Sequence, residues 1–162
     1  MKNFNIRHFS LTFTENVAML NIDLIRLLGG KSLVKQSITS NFDLIALSDA
    51  GITKASLESL IGHVGISKKS FLESILDISI KTLERKKGTE KLDRRTSSHV
   101  IEIAKVVEHA FAVFEEEEKV KTWLSKPNAA LNNMKPLDLF STSTGLGMVN
   151  DILGRMEEGV YS

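Results

Sequence analysis

Residues 53–88 read TKASLESLIGHVGISKKSFLESILDISIKTLERKKG, and the punctuation of this stretch decides the fold. Leu57, Leu60, Ile61 and Val64 fall on one face of a helix, and Gly65 stops that run. Ser67 has the side chain of an N-cap for a second run, in which Phe71, Leu72, Ile75 and Leu76 face inward. Asp77-Ile78-Ser79 then makes a three-residue turn, with Ser79 capping the next helix. The third run, Ile80 to Lys87, turns Leu83 inward and Lys81, Arg85, Lys86 and Lys87 largely outward. Two short helices joined by such a turn, the second with a basic face, have the pattern of a helix-turn-helix.

The flanks extend the helical reading. Only two prolines, Pro127 and Pro136, interrupt the 162 residues. Upstream, Val17, Leu20, Leu24, Leu27 and Leu28 share a helical face that Gly29-Gly30 terminate, and a short helix is expected near Asn41 to Leu47. Residues 1–16 fit either one strand or an arm. Downstream, Thr96-Ser97-Ser98 offer caps for a long helix in which Val100, Ile103, Val107, Phe111 and Phe114 recur at three- and four-residue steps. Another helix is expected to start near Glu115 and to stop at Lys126-Pro127-Asn128. Pro136 reads as loop. Thr144 is expected to cap a last helix whose inward face is Leu146, Val149, Leu153 and Met156, with Gly159 ending it before the tail Val160-Tyr161-Ser162.

Composition narrows the function. With 42% hydrophobic and 25% charged residues the chain is that of a globular protein, and no apolar run approaches the length of a membrane span. The absence of cysteine removes disulfides, thiolate nucleophiles and Cys-based zinc sites, which together with the lack of a signal-peptide core predicts a cytoplasmic protein. His8, His63, His99 and His109 lie far apart, none in a ligand motif, so no metal is expected. Gly145-Leu146-Gly147 lacks the strand and third glycine of a dinucleotide loop and reads as a helix start or a close-packed turn. The Glu115–Glu118 run suits a solvated helix N-terminus better than a calcium site. No active site assembles, and neither an enzyme nor a cofactor is expected. The formal charge of +1 hides a division: residues 1–50 carry +1, residues 51–95 carry +4 and residues 96–162 carry −4. Such asymmetry suits two partners, a polyanion for the middle and a protein for the C-terminal part.

The C-terminal half carries a more specific signal. Ala110-Phe111-Ala112-Val113-Phe114, Lys119, Trp123-Leu124, Pro127-Asn128-Ala129-Ala130-Leu131, Pro136-Leu137-Asp138-Leu139, Thr142, Gly145, Val149, Leu153-Gly154-Arg155 and Glu158-Gly159-Val160-Tyr161-Ser162 occur in the order of the Xre/MbcA/ParS antitoxins, which the chain resembles from roughly Leu27 onward. Leu28-Gly29-Gly30 and Ile78 to Lys86 look like the family's N-terminal and helix-turn-helix parts. The chain departs from the pattern at Glu115, where a Gly commonly follows the Phe, and at Asn132-Asn133, which replaces a Gly-Gly turn. Glu73 and Asp77 stand where DNA-binding versions often have a small residue and a Gly.

The resemblance implies an antitoxin with two tasks. The first is neutralising a co-encoded RES-domain toxin, NAD-degrading in the common case and ADP-ribosylating in a related one, by a C-terminal tail placed in the toxin's cleft. Arg155, Glu157, Glu158, Gly159, Val160, Tyr161 and Ser162 are the toxin-binding candidates. The second is repression of the operon by a homodimer on operator DNA. Its candidates are Ser79, Lys81, Thr82, Arg85, Lys86, Lys87, Arg94 and Arg95, with Lys91 beside them. Residue by residue, other readings stay open: Val160 and Tyr161 folding back on the chain's own core, and a basic face that is merely solvated. A transcriptional regulator with a ligand-sensing or dimerising C-terminal domain and no toxin is the alternative at the level of the whole chain, and a structural adaptor is a third. The expected architecture is all-α, with an N-terminal arm and helices over 1–50, a helix-turn-helix over 51–95 and a toxin-binding helical domain over 96–162.

Overall fold

The computed structural model describes residues 24–159, and over that span the chain is all-α, with two isolated β-bridges. The expected strand or arm at 1–16, the first half of the helix over 17–28 and the tail residues 160–162 lie outside the described residues.

Residues 24–27 are helical and end as their glycines predict. Gly29 and Gly30, at φ 93° and 80°, donate to the Arg26 and Ile25 carbonyls, the two bonds of a Schellman stop. Helix α1 (Asn41–Ala50) opens on a capping box in which Ser40 and Asp43 satisfy each other's backbone. Helix α2 (Lys54–Val64) buries Leu57, Leu60, Ile61 and Val64 and stops at Gly65 in the left-handed region. Next comes α3 (Lys68–Ser70), continued by a π-turn (Phe71–Ile75), and then the five-residue α4 (Ile80–Glu84).

The spine is α5 (Arg94–Phe114), 21 residues long, against which α1, α6 (Glu117–Ser125) and the last helix α7 (Ser143–Glu157) pack. Val100, Ile103, Ala104, Val107 and Ala110 are fully buried along it. At roughly 1.5–3 kcal/mol for each fully buried large aliphatic side chain, this stripe holds the flanking helices in place. Buried residues from Leu24 to Leu153 join in one hydrophobic cluster.

Several boundaries differ from the sequence reading, each for a local reason. The cap of α5 is Asp93, which accepts from the Thr96 N–H, three residues before the expected site. Ser97 is instead a buried joint: its hydroxyl accepts from Ile52 N–H and donates to the Leu92 carbonyl. Helix α6 begins at Glu117, because Glu115 takes a left-handed conformation that breaks the chain. Pro136 opens a 3₁₀ turn (Pro136–Leu139) that buries Leu137, so this stretch is ordered packing rather than loop. The last helix is capped by Thr142 rather than Thr144 and gives way to a turn at Glu158-Gly159.

Gly145 shows why the start of α7 needs a glycine. A Cβ there would collide with the Leu139 carbonyl, so the helix enters directly over the 3₁₀ turn. The close-packing reading of Gly145 holds; Gly147, facing open space, is not packed this way.

Candidate functional site

The helix-turn-helix segment is built by capping and by one unusual residue. Ser67 accepts from the Ser70 N–H and Ser79 from the Thr82 N–H, so the serines expected to open the two helices do so. Between them Asp77 sits at φ 54°, in the left-handed region where Gly is the usual occupant and Asp is tolerated. The departure at Asp77 therefore keeps the backbone geometry of the turn. Glu73 faces solvent.

The second helix of the motif is shorter than its sequence suggests. It ends at Glu84 instead of Lys87, because the backbone beyond it serves the start of α2. Lys54 Nζ donates to the Lys86 carbonyl (2.9 Å), Ala55 N–H to the Gly88 carbonyl and Lys54 N–H to the Glu90 carbonyl. Two otherwise orphaned helix N-terminal donors are thus satisfied by residues 88–90. The consequence for the basic face is specific. Ser79, Lys81, Thr82, Arg85 and Lys87 are exposed, whereas Lys86 is half-buried and lies 3.9 Å from Glu90. Lys81, Arg85, Lys87, Lys91 and Arg95 have no ion pair among the described residues, while Arg94 is held by Asp49 at 2.5 Å.

At the other end, α7 delivers the C-terminus. Leu146, Val149, Ile152 and Leu153 bury its inner face, and Arg155, Glu157, Glu158 and Gly159 are exposed at its end. Gly159, at φ 70°, donates to the Met156 carbonyl, a bond typical of a Schellman-type exit. Glu157 is not a free rim charge: His109 Nε2 stands 3.3 Å from its carboxylate. Val160, Tyr161 and Ser162 lie outside the described residues.

Beside this end lies a groove of about 670 Å³, walled by Phe114, Trp123, Pro127, Ala129 and Met156. The Phe114 and Trp123 rings meet at a centroid distance of 5.4 Å, and the buried Trp123 Nε1 donor has no acceptor among the described residues. By sequence these side chains belong to the inner faces of three separate segments. Their convergence comes from the α5–α6 corner and the end of α7, which no local spacing encodes. At that corner Lys121 pairs with Glu117 and Glu118. Its amine is held above the usual lysine range chiefly by hydrogen bonding to Glu117, whose own carboxyl is held low chiefly by the same bond. Among the described residues no group of three His, Asp or Glu side chains gathers as a metal site, and no helix is long and apolar enough to cross a membrane.

Residues 109–159 match the model of the antitoxin Xre/MbcA/ParS C-terminal toxin-binding domain. Three curated proteins share similarity over longer or overlapping stretches. A Prs ADP-ribosylating antitoxin of Sphingobium sp. is 24% identical over 133 residues, covering 76% of this chain and 83% of that protein. An antitoxin Xre of Photorhabdus laumondii is 27% identical over 54% of the chain and 61% of its own length. An antitoxin Xre of Yersinia enterocolitica is 34% identical over 41% of the chain and 45% of its own length. The groove, the α5–α6 corner and the end of α7 all fall inside the matched domain. Over residues 109–159 the chain is thus similar to the toxin-binding domain of the Xre/MbcA/ParS antitoxins, and over longer or overlapping stretches to curated antitoxins.

Proposed function

We propose that the chain neutralises a co-encoded RES-domain toxin by placing Val160, Tyr161 and Ser162 in the toxin's active-site cleft. The observation that carries this reading is the exit of α7: an anchored amphipathic helix ends in the exposed Arg155, Glu157, Glu158 and Gly159, and Val160, Tyr161 and Ser162 follow in the sequence. Ordering a residue costs roughly 1–2 kcal/mol, so a three-residue segment on a fixed helix loses little on insertion. Tyr161 supplies a rigid aromatic anchor of the kind enriched in interface hot spots. The toxin's chemistry is NAD degradation in this reading. ADP-ribosyl transfer to a protein is the second reading, supported by the Prs ADP-ribosylating antitoxin that aligns with most of the chain. Co-expressing each version with the adjacent toxin gene tests the first step: the full chain restores growth, and a chain ending at Glu158 does not. Full protection by the truncated chain overturns the tail mechanism.

We further infer that a cytoplasmic homodimer binds operator DNA through Ser79, Lys81, Thr82, Arg85 and Lys87, with Lys86, Arg94 and Arg95 at the margins. The left-handed turn at Asp77 and the cations on and after α4 that have no ion pair among the described residues support this. A gel shift on the promoter, repeated at rising salt, tests it. Binding that falls steeply with salt is the expected result. An antitoxin that protects cells yet never binds the promoter has lost the repressor task.

A further inference from the structure

We propose that the groove walled by Phe114, Trp123, Pro127, Ala129 and Met156 receives an apolar segment of the toxin, with an acidic toxin residue meeting Lys126 on its rim. This rests on the tail reading and extends it to a second contact.

The chain's own geometry argues for that occupant. Three residues beyond Gly159 reach roughly 10 Å when extended. Any protein that holds Ser162 in a cleft therefore lies against the surface around the end of α7. Met156 is less than one helical turn before Gly159, and its side chain lines the groove, so the groove is an apolar surface within that reach. Area points the same way. A stable complex buries about 800 Å² on each partner, and a buried aromatic contributes roughly 150–250 Å². The tail of Val160, Tyr161 and Ser162 falls short of this, and further buried surface has to lie beside it.

The groove has the composition of an interface centre. Two aromatic rings and a methionine form the walls, and among the described residues the Trp123 indole has no acceptor for its buried Nε1–H. On the rim Lys119 is engaged by Glu116 at 2.8 Å, whereas Lys126 is exposed and has no ion pair among the described residues. An open aromatic groove with Lys126 unpaired at its edge among the described residues, and with the neighbouring Glu118 taken up by Lys121 at 3.3 Å, suits an apolar segment carrying a carboxylate.

The test uses the full chain and the purified product of the adjacent toxin gene, with affinity measured by calorimetry. Ala129→Arg fills the groove from an exposed position at the start of a second 3₁₀ turn (Ala129–Leu131), and Lys126→Glu reverses the rim charge. Both keep the tail intact and are required to melt as the parent does. Weakening of toxin binding by at least about tenfold in Ala129→Arg, with a smaller, salt-dependent loss in Lys126→Glu, is the expected result. Parent-like affinity in both variants overturns the groove contact while leaving the tail reading standing. An Ala129→Arg effect confined to self-association of the free antitoxin overturns it as well, since the occupant is then a second copy. Failure of the unaltered chain to bind the toxin removes both readings together.

Discussion

His109 Nδ1 and the Asn150 side-chain oxygen are hydrogen-bonded at 2.8 Å, joining the spine helix α5 to the last helix α7 across 41 residues of sequence. The same ring reaches Glu157 with its other nitrogen, so one imidazole spans two turns of α7 up to the point where the tail leaves. His109, by sequence only a histidine outside any metal motif, thus ties the last two turns of α7 to the spine helix. Replacing it with Ala is expected to cost about 1 kcal/mol, the net worth of a typical hydrogen bond. The local effect is more telling than the global one. Hydrogen exchange is expected to quicken at residues 150–157 and to stay slow along the buried stretch of α5.

Glu115 carries a backbone cost that can be removed. Its φ of 60° places an L-residue in the left-handed region, at roughly 1–2 kcal/mol, while its N–H closes α5 on the Phe111 carbonyl. Glu115→Gly keeps that closing bond and relieves the backbone, against a loss of roughly 0.5–1 kcal/mol from the freer unfolded chain. A small net gain is expected, read as a rise in melting temperature of about 2 °C. Asn132 and Asn133 also sit at positive φ, but Asn pays less there, so Gly at either position is expected to change stability less than Gly at 115.

Asp93 links the longest helix to pH. The Thr96 hydroxyl (2.7 Å) and then its N–H (3.0 Å) hold the Asp93 carboxyl below the ordinary aspartate range. A carboxyl depressed in the folded state contributes stability that is present above its unfolded value and is lost as pH falls through its folded value. Asp43 is lowered in the same sense, mainly by the Thr39 N–H and hydroxyl. Thermal melts from neutral pH to about pH 3 are therefore expected to show declining stability. In Asp93→Asn the cap persists and the decline is shallower, with the remainder traceable to Asp43. In Asp93→Ala the loss of the cap itself costs about 1 kcal/mol at neutral pH.

Features that depend on neighbours along the chain are legible in the sequence. Val100, Ile103 and Val107 announce α5 by spacing alone, and Ser67 and Ser79 announce their helices by cap chemistry. Cap choice fails where several candidates adjoin: Asp93 outcompetes Thr96, and Thr142 outcompetes Thr144, because tertiary packing selects among equally good side chains. The early end of α4 is illegible for another reason. It reflects the needs of Lys54 and Ala55, about thirty residues upstream, whose N–H groups take the carbonyls of Glu90 and Gly88. The groove needs Phe114, Trp123 and Met156 from three elements, and no period predicts such a meeting. The departures at Glu115 and Asn132-Asn133, by contrast, mark left-handed positions directly, since a family glycine there is a statement about φ.

The length of α4 decides which cations are expected to matter for DNA. If the basic face ran unbroken to Lys87, Lys86 would be equivalent to its neighbours; instead it is half-buried and close to Glu90, while Lys81, Arg85 and Lys87 are exposed and have no ion pair among the described residues. Each lost phosphate contact lowers the slope of log affinity against log salt by about 0.9 on duplex DNA. The combined change Lys81→Glu, Arg85→Glu and Lys87→Glu is expected to abolish promoter binding at moderate salt. The single changes are each expected to reduce the slope by about one, and Lys86→Glu by clearly less. Because these residues lie outside the matched toxin-binding domain, growth rescue by the triple variant is expected to equal that of the parent. A Lys86→Glu effect as large as that of Arg85→Glu would show that α4 lengthens on DNA and frees that side chain.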